Sequence, residues 1–337
     1  MNEEIKNQLA KSLQRQVPLV SQPFTAAGDP LGLSEKEVID QVLLWREQKV
    51  LREISAIMEG DLLGYEAALV CGRIPQERLH EVAEIISSHP TVTHNYERNH
   101  DFNLWFTISV PREMGLDQTL RILENITGID HYYPLRRTLT FKVGVVFDLH
   151  SLSNDTALKE GASSCDNLVI TEETKKIILA LQQDLPTVAH PFRTLAEKNG
   201  ISEESLLHFA STYLGKAVRK YVATFLHRKL GVKFNAMTVW NIPQADLKEK
   251  GLKLAANPQV SHCYGRTTIP DFPYSLYAMV HGPTDEHVQQ VVSDIAEKIE
   301  CRDYLVLYSP TEFKKCRLRY FLPQLDDWWS KFATHLG

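Results

Sequence analysis

The chain has 337 residues, long enough to favour two or more domains over one core. A hydrophobic fraction of 43% and a charged fraction of 23% are ordinary for a globular protein in water. The formal charge of −5 argues against a surface built to hold nucleic acid non-specifically. Cys71, Cys165, Cys263, Cys301 and Cys316 are scattered and odd in number, which excludes a disulfide framework or zinc knuckle and suits a reducing cytoplasm. The polar N-terminus MNEEIKNQLAKSLQRQ does not read as a signal peptide, and no apolar run is long enough for a bilayer. A cytoplasmic protein without a membrane partner is therefore expected.

In chain order, residues 1–62 read as a helix-turn-helix. Ser34 is an N-cap with Glu37 three residues on, a capping box. The turn before it, TAAGDPLGLS, is interrupted by Gly28, Pro30 and Gly32. Residues 63–150 alternate strands and helices. Strands are expected at 65–72, 92–98, 102–110 and around 131–139, and helices at 76–88 and 116–127. Residues 151–167 (SLSNDTALKEGASSCDN) have no apolar period and read as a surface linker. Residues 168–230 return to helices: one through Ile177, Ile178 and Leu181, a short one at Leu195 and Ala196, and a third opened by Ser202. Residues 231–337 again alternate, with strands at 234–240, 260–267, 275–281 and 304–308 and helices at 244–256 and 285–300. The order β-α-β-β-α-β is the split βαβ, ferredoxin-like arrangement. The expected fold class is α+β, a tandem repeat of a helix-turn-helix plus a ferredoxin-like βαββαβ domain.

The repeat is visible in the letters. A displacement of 168 positions carries Pro23-Phe24 onto Pro191-Phe192, Leu33-Ser34-Glu35 onto Ile201-Ser202-Glu203, and Ile74-Pro75 onto Ile242-Pro243. It also carries His94, Tyr96 and Arg98 onto His262, Tyr264 and Arg266. After a slip of two, Asp101-Phe102 matches Asp271-Phe272. One register held over that span implies an internal duplication and an internal pseudo-dimer, with a homodimer of the whole chain as a further assembly. The copies also differ: Asn95 aligns with Cys263 and Glu97 with Gly265, so unequal roles are expected.

A helix-turn-helix followed by this sandwich resembles the Lrp/AsnC transcription-factor architecture. The segments HNYERNHDFNLWFTI at 94–108 and HCYGRTTIPDFPYSLYAMVHG at 262–282 resemble, more specifically, the two subunit types of the siroheme decarboxylase family, here fused. The resemblance covers nearly the whole chain outside the linker. It implies an enzyme, a carboxy-lyase that removes two acetate carboxyls from siroheme to give 12,18-didecarboxysiroheme. That reaction serves a route to haem b or to the modified haem of nitrite reductase. The alternatives are an Lrp/AsnC-type DNA-binding regulator and an idle tetrapyrrole sensor or carrier. A recognition helix needs Arg, Lys, Asn or Gln near its start. These helices open with Glu35, Lys36, Glu37 and Asp40, and with Glu203 and Glu204, so DNA is not expected as a partner.

His94, Tyr96 and Arg98 alternate along a strand and so share one face, as do His262, Tyr264 and Arg266. The same stripe would also serve as the polar face of a half-exposed sheet. Under the resemblance, the substrate is a planar, iron-bearing ring with many peripheral carboxylates. It calls for guanidinium and ammonium groups, aromatic walls, and histidines as proton carriers or iron ligands. The expected proton carriers are His94 and His131 in the first half and His262 and His281 in the second; His94 or His262 is the candidate ligand to the substrate's iron. Expected binding residues are Tyr96, Arg98, His100, Trp105, Arg136 and Arg137, then Tyr264, Arg266, Tyr274, Lys314, Lys315 and Arg317. The run KKCRLR is equally the pattern of a solvated charge cluster, and Trp105 that of a core residue. No protein metal site and no separate cofactor are expected, because the conjugated macrocycle is itself an electron sink.

Overall fold

The computed structural model describes residues 1–143, 168–225 and 234–333; the expected linker at 151–167 lies outside them. The first half runs α1 (Glu3–Arg15), α2 (Pro23–Gly28), α3 (Glu35–Glu47), β1 (Leu51–Met58), β2 (Tyr65–Gly72), α4 (Leu79–Ser88), β3 (His94–Glu97), β4 (Leu104–Pro111), α5 (Leu116–Thr127) and β5 (Tyr132–Lys142). The second half repeats the order. Its helical part is α6 (Glu172–Leu181), α7 (Pro191–Lys198), α8 (Glu203–Thr212) and the strand β6 (Val218–Phe225). Its sandwich part is β7 (Phe234–Trp240), α9 (Leu247–Ala255), β8 (Val260–Arg266), β9 (Leu276–Gly282), α10 (Asp285–Lys298) and β10 (Tyr304–Leu307). The second half then continues with β11 (Glu312–Lys315) and with α11 (Pro323–Phe332), a helix that has no counterpart among the described residues of the first half. No helix among the described residues is long and apolar enough to cross a membrane.

The described residues fall into two compact units that regroup the halves by kind. The first unit joins residues 1–63 and 168–225, the two helix-turn-helix segments. Ser34 and Glu37 close the capping box on α3, and the Ser202 hydroxyl caps α8 by accepting from Ser205 N–H. The segments are joined by β1 and β6, an antiparallel pair running from Leu51 opposite Phe225 to Met58 opposite Val218. A second tie is the Arg46–Asp184 ion pair, whose carboxylate also accepts from Ile54 N–H at 2.8 Å. The acidic first turns of α3 and α8 are engaged as well: Thr25 donates to Glu35 and Ser21 to Glu203.

The second unit joins residues 64–143 and 234–333, the two ferredoxin-like segments. Each contributes four strands, in the orders β5-β2-β4-β3 and β10-β7-β9-β8, joined edge to edge through β5 and β8. Alternation along the strands builds two kinds of face. One face of the first sheet packs Val70, Leu104, Phe106 and Ile108 against α4 and α5; the second sheet does the same with α9 and α10. The opposite faces meet in a third apolar cluster that includes Cys71, Phe102, Trp105, Leu135, Val239, Phe272 and Tyr277.

The closing strands set the geometry of this unit. β5 is long enough to serve both sheets: Tyr132–Arg136 pair with β2, and Arg137–Lys142 pair with β8. In the second half the same task is split. β10 pairs with β7, and after a break at 308–311 the chain adds β11 to β3. Each half therefore finishes the sheet of the other. Gly251 in α9 makes room for this exchange, because a Cβ there would come within 2.3 Å of the Phe141 ring on β5.

Candidate active site

β3 and β8 carry the two stripes, and their repeat is geometric as well as literal. Asn95 points to the helix layer, where its amide donates to Ala83 O at 3.0 Å; its repeat partner Cys263 approaches Gly251 O at 3.8 Å. The neighbouring His94 and Tyr96, and His262 and Tyr264, therefore face the inter-sheet side. The ring pairs sit 6.1 Å apart in the first half and 6.2 Å in the second, each tilted by 35°. Arg98 and Arg266 lie over the Tyr96 and Tyr264 rings, both at 5.3 Å. The Asn95/Cys263 difference belongs to helix packing. The Glu97/Gly265 difference belongs to the exchanged strands: Thr311 donates to the Glu97 carboxylate, and a Cβ at Gly265 would meet Thr138 Oγ1 at 2.9 Å.

The arginines do not stand where the sequence suggests. Arg98 Nη1 donates to Leu307 O at 3.0 Å and to Ser309 Oγ at 2.6 Å, and Arg266 Nη1 donates to Leu135 O at 2.9 Å. Leu307 and Leu135 are the points at which the last strand of each half leaves its own sheet. Burial pushes the Arg98 guanidinium down to about 10, and Arg266 shifts in the same direction for the same reason. Both arginines staple the exchanged strands, so a role as free carboxylate clamps gives way to a structural one.

Lys314 is corrected in the same way. Its ammonium donates to Ser87 O at 2.6 Å and His89 O at 3.2 Å at the end of α4, and burial lowers its pKa. Lys142 does the same in the other half, donating to Asn257 O at 3.0 Å beyond α9. These lysines satisfy orphan helix carbonyls. Trp105 is a core residue, 1% exposed, with its indole N–H donating to Phe102 O. His131 is exposed, its Nδ1 lies 3.0 Å from a Glu124 carboxylate oxygen, and its ring is against Tyr133. His100 accepts from Phe102 N–H at 3.0 Å and lies against Phe272, and burial lowers its pKa. Tyr274 packs on Phe272.

Arg136 pairs with Asp117 at 2.7 Å on the surface, and Arg137 is exposed beside it on β5. Lys315 stands opposite His94 in the β11–β3 register, half-exposed, while Arg317 follows it. Burial first, and then the Lys315 ammonium, hold His281 below the usual histidine range. The residues brought together are therefore His94, Tyr96 and Lys315, and His262, Tyr264 and His281.

The contacts of the histidines are held by hydroxyls that single-residue reading passed over. Thr93 Oγ1 lies 3.0 Å from His94 Nδ1 and 2.7 Å from Thr107 Oγ1. Ser261 Oγ lies 2.9 Å from His262 Nδ1 and 2.5 Å from His281 Nε2. The signal available in the sequence was the hydroxyl preceding the histidine in both copies. Among the described residues, no group of three or more His, Cys, Asp or Glu side chains is arranged to hold a metal ion.

Comparison with known proteins matches this architecture from end to end. Residues 6–52 and 174–216 match the siroheme decarboxylase NirDL-like HTH domain, and residues 62–142 and 229–314 the AsnC-like ligand binding domain. The siroheme decarboxylase of Hydrogenobacter thermophilus is 35% identical over 330 residues, covering 97% of this chain and 98% of that protein. The chain belongs to the siroheme decarboxylase family. Its fused form is reflected in the siroheme decarboxylase beta subunit of Methanosarcina barkeri, which is 38% identical over 146 residues: 43% of this chain but 95% of the subunit. The crystal structure of the siroheme decarboxylase NirDL in co-complex with an iron-uroporphyrin III analogue has a TM-score of 0.79 and 30% identity, covering 99% of this chain and all of that one. In each half of this chain the stripe places an imidazole beside a tyrosine ring.

Proposed function

We propose that the protein is a carboxy-lyase that removes two acetate carboxyl groups from siroheme to give 12,18-didecarboxysiroheme, without a separate cofactor. The observation that carries this reading is the end-to-end match to siroheme decarboxylases, on a fold whose two halves each present a hydroxyl-held histidine beside a tyrosine. In each step the bond between the carboxylate carbon and its methylene breaks. Carbon dioxide leaves, and the electron pair stays with the methylene carbon and spreads into the substrate's macrocycle. A proton then forms the new C–H bond and yields a methyl group.

The chain's own residues supply three things. His262, His281 and His94 handle protons, with His94 or His262 available to the substrate's iron. Tyr96 and Tyr264 provide an apolar surround that disfavours the reacting carboxylate over its neutral products. Arg136, Arg137, Lys315 and Arg317 are the cations the reading assigns to carboxylate arms that do not react, since a cation clamped on the scissile carboxylate would resist its departure. His131, tied to Glu124 away from this cluster, has no proton-delivery role in the reading. A DNA-binding regulator is disfavoured by α3 and α8, whose first turns carry Glu35, Glu37, Glu203 and Glu204.

Anaerobic incubation of siroheme with the purified protein tests the reading. Two equivalents of carbon dioxide and a tetrapyrrole lighter by that mass are expected. Recovery of intact siroheme from folded, siroheme-loaded protein would overturn the enzyme and leave a carrier.

A further inference from the structure

We infer that Gly251 and Gly265 form a steric lock for β5. They admit the closing strand of the first half to the second half's sheet. The residues at the matching places in the first half, Ala83 and Glu97, refuse that strand to another first half, so unlike halves pair and like halves do not. The matching places are fixed by contacts. Asn95 reaches Ala83 O and Cys263 reaches Gly251 O, so positions 83 and 251 correspond. Lys314 stands opposite Asn95 and Lys142 opposite Cys263, so the residues before them, Phe313 and Phe141, arrive at corresponding points.

Phe141 is the knob. It is 4% exposed and lies over α9 at Gly251, where a Cβ would come within 2.3 Å of its Cζ and 2.5 and 2.6 Å of its two Cε atoms. Glycine is a poor choice inside a helix, so its place in the middle of LKEKGLKLA calls for such a neighbour. Gly265 supplies the second fit: a Cβ there would meet Thr138 Oγ1 at 2.9 Å and Leu139 Cβ at 3.2 Å. The two glycines lie on different elements, α9 and β8, and β5 contacts both.

Specificity between similar partners requires a feature that rejects the wrong one. On a first half, β5 would set its ring on the Ala83 methyl and Thr138 on the Glu97 side chain. Ala83 is fully buried and the ring is close-packed, so it cannot swing aside without shifting its neighbours. The opposite mispairing costs contacts rather than space. The chain entering β11 gives the Glu97 carboxylate the Thr311 hydroxyl, and Phe313 lies edge-on to the His80 ring at 5.3 Å. On a second half those partners would be Gly265 and Lys248, so Thr311 loses its acceptor and the ring its aromatic neighbour.

The test gives the second half of the full-length chain the first half's residues, with amide hydrogen exchange as the readout. In Gly251→Ala/Gly265→Glu, the amides of 137–142 that pair with β8 are expected to exchange about tenfold faster or more, while those of 132–136, paired with β2, keep their protection. Adding Phe141→Leu is expected to recover part of the loss. Protection at 137–142 equal to the parent's overturns the inference. A second measurement covers a double variant that does not fold. Alanine in place of glycine inside a helix ordinarily raises the melting temperature. Gly251→Ala is expected to lower it beside Phe141 and to raise it in the Phe141→Leu background. A rise or no change beside Phe141 overturns the lock. Neither measurement depends on siroheme or on carbon dioxide release.

Discussion

The two ferredoxin-like halves repeat one another contact for contact, and then part at a few positions. Arg98 and Arg266 staple equivalent carbonyls, Lys314 and Lys142 close equivalent helices, and His94 and His262 stand at equivalent distances from their tyrosines. Against that background, three positions differ in kind. His281 stands where the first half has Ser109. Lys315 stands where the first half has Val143. His89 in the first half aligns with Asn257 in the second. Duplication preserves what both copies need for folding, so the places where the copies disagree, once packing differences such as Asn95/Cys263 are set aside, are where function and history have separated them.

The largest expected effect separates the histidines. His262→Ala is expected to lower kcat for carbon dioxide release by about 10²–10⁴-fold, the usual worth of a positioned acid. His94→Ala is expected to act mainly on siroheme binding, raising KM and altering the visible spectrum of the bound ring with a smaller loss of kcat. Equal losses of kcat would break this separation of the two histidines.

The staples come next. Arg98→Leu leaves the Leu307 carbonyl without its charged donor and is expected to cost about 1.5–3 kcal/mol in urea unfolding. Arg266→Leu removes one such bond where Arg98 makes two, and so should cost less. A larger loss in Arg266→Leu would show that the long strand β5 depends on its staple more than the broken pair β10 and β11 does.

The smallest effect is confined to acid. His89 is fully buried; its Nδ1 accepts from Thr91 N–H at 3.2 Å, and burial first, then Lys314, hold its pKa at about 3. The unfolded chain binds that proton near pH 6.5, so the stability contributed by neutral His89 is complete above that value and declines as pH falls toward 3. The loss is about 2 kcal/mol by pH 5. Asn257 makes the matching contact with an amide, accepting from Gln259 N–H at 2.9 Å, and does not titrate. His89→Asn is therefore expected to flatten the acid slope of the unfolding midpoint, and an unchanged slope would place the acid sensitivity elsewhere.

Much of the sandwich was legible because its signals are local. Tyr65–Gly72, Leu116–Thr127 and Phe234–Trp240 alternate or cycle with the period their burial demands, and their ends coincide with the expected ones. β1 and β6 were not legible. β1 is buried at successive positions on both faces, so LREISAIM shows no clean alternation, and its pairing partner lies far along the chain. β11 escaped for a related reason: it is four residues long and draws its hydrogen bonds from the other half. At the site, the His-Tyr stripes could be read from spacing, whereas the fate of the arginines could not, because a guanidinium bound to a backbone carbonyl and one bound to a carboxylate share the same letter. Ser261 was hidden by its commonness; only its alignment with Thr93 set it apart.

The exchanged strands also bear on how the molecule is made. β3 gains its outer neighbour only when residues 312–315 have been synthesised, and β1 waits for 218–225. Until the second half is made, the nascent first half presents open edges on β1, β3 and the end of β5, a template for pairing with other chains. Joining the halves in one polypeptide ensures that the segment able to cover those edges arrives on the same ribosome, at a high effective concentration and in a fixed ratio of one to one.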